Sequence, residues 1–290
     1  IWGMAFVSQS KGMDYMHPFT FNGVRSLIGA AGILVYILIS RKIAGDKAAK
    51  LDWKLNVRAG LLCGIFLTIA STLQQFGIKY TSVGKAGFIT TLYIIFVPMF
   101  GIFLKKKVAP VVWAAAGMAA VGMYLLCMTE SLRLGAGDIM VFLCAIAFAI
   151  QIMTVDHYAA RIDGAVVSCI QFTVCGVVCC IGALIWGQPT FGQLQEGLGA
   201  LLYAGVLSCG VGYTLQIVGQ KGLNPTVAAL IMSLESVIAT ISGWIAYKIG
   251  FLSTDQTLTP RQIAGCVIVF AAVILVQLPP EWFRFGKKNA

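Results

Sequence analysis

The chain has 290 residues, 59% of them hydrophobic and only 11% charged, with a mean hydropathy of +0.87. A soluble domain carries about a quarter charged residues, so a water-soluble globular fold is excluded, and the connections between apolar runs are too short for a separate soluble domain. The net charge of +10 does not point to nucleic acid, because the Lys and Arg residues fall between apolar runs in the asymmetric pattern of a membrane protein.

The first run begins apolar at once, Ile1-Trp2-Gly3-Met4-Ala5-Phe6-Val7, and extends to about Ser10. No charged region precedes it, so it does not read as a signal peptide, and the expectation is that helix 1 begins before Ile1. Nine further helices are predicted over 18–40, 57–79, 83–104, 110–128, 138–158, 164–186, 198–221, 224–247 and 260–278, each of about membrane-crossing length. Pro18, Pro110 and Pro260 each open one of them, where a first-turn residue without an N–H loses no helical bond. Thr259 before Pro260 reads as an N-cap. Gly60-x-x-x-Gly64 and the Ala/Gly-rich stretch 114–122 predict close helix packing. The nine cysteines all lie in apolar runs, without CxxC or Cys/His metal spacing, and read as small hydrophobes. No metal and no cofactor are expected.

The loops set an orientation. Arg41, Lys42, Lys47, Lys50, Lys54, Arg58, Lys105, Lys106, Lys107, Arg161, Lys221, Arg284, Lys287 and Lys288 fall on one side of a ten-span chain, fourteen in all. Six fall on the other: Lys11, Lys79, Lys85, Arg133, Lys248 and Arg261. The excess marks the cytoplasmic side, so both termini are expected in the cytoplasm, with residues after helix 10 forming a short tail.

The chain also repeats itself. Shifted by 142 residues, Thr72-Leu73-Gln74 falls on Thr214-Leu215-Gln216, and Gly77, Lys79, Ala86, Ile89, Leu92, Gly101 and Lys106 fall on identical residues. Each half then holds five spans, 1–130 and 131–290. An odd number inverts the second half relative to the first. The predicted fold is an all-α membrane protein of ten transmembrane helices, two inverted five-helix repeats around a central cavity with its site near the midplane.

Glu235 is the acid in the middle of the ninth span; the other acids lie near the ends of apolar runs or between them. A carboxylate at the bilayer centre costs about 3 kcal/mol on insertion scales, and persists where it faces a partner, water or a substrate. It reads as an ion or substrate site, the alternative being a packing residue bonded to a neighbouring helix. The register pairs it with Tyr93. Intramembrane amides need partners: Gln74 and Gln216 are repeat-related, and Gln151 lies on the sixth span, while Gln75 is about 100° round the helix from Gln74 and cannot share its cavity. Arg25, about two turns inside helix 2, either snorkels outward or binds a substrate carboxylate. Tyr213, Thr90 and Ser8 are further cavity candidates. His17 and His157 flank helix ends. Walker A, HExxH and GxSxG sequences are absent, which argues against an ATP-driven pump or an enzyme.

Several motifs, in order along the chain, resemble the EamA-type members of the drug/metabolite transporter superfamily. They are Trp2-Gly3-x-x-Phe6-Val7, Arg25 within Phe21–Ser26, Leu92-Tyr93-Ile94-Ile95-Phe96-Val97-Pro98, Ser233-Leu234-Glu235-Ser236-Val237 and Leu258-Thr259-x-x-Gln262-Ile263-x-Gly265. Ser236 stands where the family often has Pro, and Tyr247-Lys248-Ile249-Gly250 replaces its usual glycine-glutamate pair. The resemblance implies a cavity lined by helices 1, 3, 4, 6, 8 and 9. It also implies a secondary transporter of a small organic metabolite, amino-acid- or amine-like, in the plasma (bacterial inner) membrane, working by proton-coupled export. The alternatives are uptake of a vitamin or nucleoside by the same fold, or a channel or non-transporting scaffold. The expected partners are the substrate, the lipid bilayer and protons, not nucleic acid.

Overall fold

A computed structural model describes residues 1–45, 51–81, 83–104, 109–127, 135–251 and 257–278. The charges at Lys47, Lys50, Lys105, Lys106, Lys107, Arg133, Arg284, Lys287 and Lys288, and the tail beyond 278, lie outside the described residues, as do the side chains of Lys85 and Cys127.

Helices account for nearly all of the described chain, and no strand occurs among those residues. Helix α1 (Trp2–Gly12) turns tightly into α2 (Pro18–Ala44), which starts where His17 Nδ1 accepts the Phe19 N–H at 3.4 Å. Helix α3 (Trp53–Tyr80) starts four residues before the apolar pattern does. Asp52 Oδ1 accepts the Leu55 N–H at 3.0 Å, so a capped polar turn extends the helix beyond its apolar stretch. The predicted fourth helix is broken at Leu92 into α4 (Val83–Thr91) and α5 (Tyr93–Phe103). Then follow α6 (Pro110–Cys127), α7 (Ala136–Ala159) and α8 (Gly164–Gly182), the last extended by a π-helical turn at Ala183–Gly187.

A short helix, α9 (Phe191–Glu196), lies in the next connection. Helix α10 (Leu198–Leu202) runs through a π-helical stretch, Tyr203–Gly212, into α11 (Tyr213–Gly219). The predicted ninth helix is broken at Ser233 into α12 (Pro225–Met232) and α13 (Leu234–Lys248). In α14 (Pro260–Gln277), Thr259 and Gln262 form a reciprocal cap, Gln262 N–H on Thr259 Oγ1 at 3.3 Å and Thr259 N–H on Gln262 Oε1 at 2.8 Å.

Seven stretches among the described residues are long and apolar enough to cross a membrane: Pro18–Ala44, Trp53–Tyr80, Ala86–Phe103, Ala136–Ala159, Gly164–Gly187, Leu198–Gly219 and Pro225–Lys248. Pro110–Leu125 and Pro260–Val276 are shorter apolar helices. Leu34, Tyr36, Leu38, Phe103, Ile181, Leu215 and Phe270 are among the large apolar side chains turned outward, as a lipid-facing surface requires. The chain is a multi-pass membrane protein.

Small residues set the helix spacing. A Cβ at Gly60 would lie 2.6 Å from Ile170, and one at Gly64 2.9 Å from Val174, so the Gly60-x-x-x-Gly64 face receives α8. A Cβ at Gly122 would lie 2.9 Å from the Gly265 carbonyl, which joins α6 to α14. A Cβ at Gly3 would meet Ile238 Cβ at 2.6 Å and the Glu235 carbonyl at 2.7 Å, which brings α1 against α13.

Polar ties close the ends. Arg41 Nη2 lies 3.8 Å from Asp163 Oδ2, and the Asp163 N–H donates to Asn56 Oδ1 at 2.9 Å, so α2, α3 and α8 meet at one end. At the other, the Thr81 hydroxyl donates to Asp138, and the Arg261 guanidinium stacks 5.2 Å over Tyr124. The described cysteines are free thiols, but Cys175 and Cys179 are more than apolar filler. Ser26 Oγ donates to Cys175 Sγ and Asn22 Nδ2 to Cys179 Sγ, both at 3.4 Å.

Candidate functional site

A cavity of about 50 Å³ lies among α1, α2, α3, α4, α5, α7, the π-helical stretch before α11, α11 itself, α12 and α13. The side chains reach it at helical spacing: Trp2, Ala5, Phe6 and Gln9 from α1; Phe148, Gln151 and Ile152 from α7; Tyr213 and Gln216 from α11. Thr90 and Tyr93 enter on either side of the Leu92 break, and Met232 and Glu235 on either side of the Ser233 break.

The two breaks share a geometry. Beyond Leu92 the Ile95 N–H returns to Leu92 O at 2.9 Å, and beyond Ser233 the Ser236 N–H returns to Ser233 O at 3.1 Å. Each is one tight turn inside a longer helix. The hydroxyls of Thr91, Ser233 and Ser236 all bond back to main-chain carbonyls of the preceding turn, satisfying acceptors that the breaks disturb.

Tyr93 Oη donates to Glu235 Oε1 at 3.2 Å, a contact between residues 142 apart. Gln74 Nε2 donates to Thr90 Oγ1 at 3.3 Å. Gln216 Nε2 donates to Gln151 Oε1 at 3.3 Å, and Gln151 Nε2 to Gln171 Oε1 at 3.5 Å. Tyr213 packs between Trp2 and Phe172, ring centroids 4.6 and 5.1 Å away. Arg25 is 5% exposed and turned into the cavity, so it does not snorkel outward. Asn22 Oδ1 accepts its Nε–H at 3.0 Å, and Asn22 is itself held through Nδ2 on Ser71 Oγ at 3.0 Å. Among the described residues neither Arg25 nor Glu235 belongs to an ion pair, unlike Lys11–Asp14 and Arg41–Asp163.

Of the residues singled out from the sequence, Glu235, Tyr93, Gln74, Gln216, Gln151, Tyr213, Thr90 and Arg25 line this cavity. Ser8 does not. Its hydroxyl donates to the Ala200 carbonyl at 2.8 Å and it faces a separate apolar cleft between α1, the α10 region and α13. The lining residue beside it is Gln9, missed in the sequence although it stands at i+7 from Trp2. Gln75 turns away from the cavity, its Nε2 donating to the Gln9 carbonyl at 3.3 Å.

The offset of 142 organises the lining more widely than the stretch 72–106 revealed. Phe6 and Phe148, Gln9 and Gln151, Gln74 and Gln216, Thr90 and Met232, and Tyr93 and Glu235 are pairs at that offset, and both members of each pair line the cavity.

Known proteins share this chain's pattern. The model of the EamA-like transporter family matches residues 1–128 and 135–278. An uncharacterized transporter of Archaeoglobus fulgidus is 27% identical over 284 residues, covering 96% of this chain and 82% of its own. One of Clostridium kluyveri is 22% identical over 271 residues, covering 90% and 83%. A solved crystal structure with 16% sequence identity superposes with a TM-score of 0.72 over 98% of both chains, which shows a common fold. With the family model matched across both halves, the chain belongs to the EamA-like transporter family.

Proposed function

We propose that this protein is a secondary active transporter that moves a small amino-acid- or amine-like metabolite across the plasma membrane by alternating access, as a proton-coupled exporter. Ten spans form two inverted five-helix repeats, 1–130 and 131–290, with both termini in the cytoplasm. The packing supports the inversion: α1 against α13 is matched at the 142 offset by α7 against α5, and α3 against α8 by the π-helical stretch against α2. Helix pairs α2–α8 and α6–α14 map onto themselves, as pairs across a pseudo-twofold axis should.

The observation that carries the reading is the Tyr93–Glu235 contact, which joins equivalent points of the two halves inside a polar cavity. A carboxyl there can take a proton from one side and release it to the other, or hold a cationic group in the proton's place, so proton and substrate compete for one site. Arg25 on the same cavity supplies a fixed cation for a substrate carboxylate. A cavity of about 50 Å³ admits a water or two but not a metabolite, so the cycle includes a wider state. Vesicles with an imposed pH gradient test the reading, wild type beside Glu235→Gln, over a panel of amino acids, amines, nucleosides and vitamins. Gradient-driven flux is expected in the wild type and its loss in the variant. Full pH-dependent flux in Glu235→Gln would place the proton path elsewhere.

A further inference from the structure

Two of the residues that line the cavity, Gln9 and Gln216, are buried amides whose oxygens are unused. Gln9 is 4% exposed and Gln216 9% exposed, and the Oε1 of each accepts no hydrogen bond among the described residues. A buried acceptor left unmet carries the desolvation cost of a lost hydrogen bond, so each such atom needs an account. The backbone of Gln9 and the side chain of Gln216 are each held by a hydrogen bond. The backbone carbonyl of Gln9 is tied to Gln75 Nε2, and Gln216 is held by its own Nε2 on Gln151, each at 3.3 Å. The free oxygen of Gln9 is not a consequence of its place in the repeat, because the equivalent oxygen of Gln151 is bonded. Gln75 and Gln220 also carry unmet amide oxygens, but neither lines the cavity.

We propose that Gln9 and Gln216 select a primary ammonium group, each amide oxygen taking one N–H while the Glu235 carboxylate takes the third. The proposal rests on the transporter reading and adds to it the substrate group and the residues that count its hydrogens. An –NH₃⁺ group offers three donors and no acceptor. Two neutral carbonyls and one carboxylate, drawn from α1, α11 and α13, match that number. Tyr93 occupies one carboxylate oxygen of Glu235. A quaternary ammonium carries the same charge without an N–H and leaves both amides unmet. A site built to hydrogen-bond an N–H rejects the analogue that lacks it.

The test holds charge constant while removing donors one at a time. Glycine, sarcosine, dimethylglycine and betaine form one series, tryptophan and its N-methylated derivatives up to the trimethyl betaine another. The readout is ligand-induced thermal stabilisation of the purified full chain, converted to relative Kd. Wild type should weaken down each series that binds, roughly tenfold for each donor lost to an amide. Gln9→Leu and Gln216→Leu should weaken the primary ammonium and leave the trimethyl form unchanged, flattening the series. Gln9→Glu should restore it, and Gln220→Leu should match wild type. Equal binding of primary and trimethyl forms overturns the proposal, as does an unflattened series in both Leu variants. Failure of both series to bind, beside Glu235-dependent flux of a solute without an ammonium group, also overturns it while the transporter reading stands.

Discussion

His17 lies outside the spans and ties the first turn of α2 to the charge state of the solution. Its Nδ1 lone pair accepts the Phe19 N–H, and its ring packs against Phe19 and Phe76 at 5.8 and 5.5 Å. Burial, and secondarily the charge of Lys79, hold its pKa below the ordinary value of about 6.5. The neutral form is the one the fold favours. Its contribution is therefore fully present above the ordinary histidine range and lost as pH falls through the lowered folded value. Acidification should cost roughly 1 kcal/mol of α2 capping, seen as a fall in Tm of the detergent-solubilised protein between neutral and mildly acidic pH. His17→Asn keeps a capping acceptor without a titrating ring and should abolish that dependence. An unchanged pH profile in the variant would show that the cap plays no part.

At the scale of elements, the packing turns on where a side chain has no room. Gly122 on α6 faces the Gly265 carbonyl at 2.9 Å, whereas Gly32 on α2 has nothing within 4 Å of where its Cβ would stand. The same substitution should therefore differ at the two sites. Gly122→Leu is expected to destabilise by about 1–3 kcal/mol through overpacking. Gly32→Leu should be near neutral, since it adds an apolar group facing open space on an apolar helix. Thermal denaturation of both variants in one detergent decides it, and equal Tm values would refute the close α6–α14 contact. The broken helices bear on the proposed function through the residues they place. Each break places two lining residues three positions apart across a tight turn, Thr90 with Tyr93 and Met232 with Glu235, so a hinge at Leu92 or Ser233 would move site residues directly.

For the whole molecule, the two halves are related but not identical in their bonding. Gln216 is joined to Gln151, while Gln74 has turned to Thr90 and leaves Gln9 Oε1 free. If the halves exchange conformations when the protein faces the other side, Gln74 should then bond Gln9 and Gln216 should release Gln151. A structure trapped in the opposite state, for instance with a conformation-specific binder, checks this; the same amide pairing in both states would count against exchange. The orientation is equally accessible. Thr190 and Arg161 are exposed at helix ends. In a background without the nine native cysteines, Thr190→Cys should react with a membrane-impermeant maleimide on intact cells, and Arg161→Cys only after permeabilisation. The reverse pattern would invert the topology.

Most of the cavity lining was legible because it depends on local rules. An acid or an amide inside an apolar run is costly wherever the helix turns, so Glu235, Gln74, Gln151 and Gln216 stand out with no partner known. The offset of 142 then brought Tyr93 in, and the alternation of loop charges gave an expected orientation that the maleimide test addresses. Other features depended on neighbours far along the chain. Ser8 and Gln9 are adjacent in sequence, and which of them faces the cavity is set by the rotation of α1 against α13, which Gly3 permits by close approach. The pairs Phe6–Phe148 and Gln9–Gln151 were present in the repeat but lay outside the stretch in which it was found. Asn22 carried no signal as the residue that holds Arg25, because its partners Ser71 and Cys179 lie on other helices. Composition and periodicity determined that the chain is helical and lives in a bilayer, since hydropathy and charge act residue by residue. Which polar groups meet, and which buried oxygens among the described residues accept no hydrogen bond, was decided by helix rotation and packing, where the energies belong to pairs.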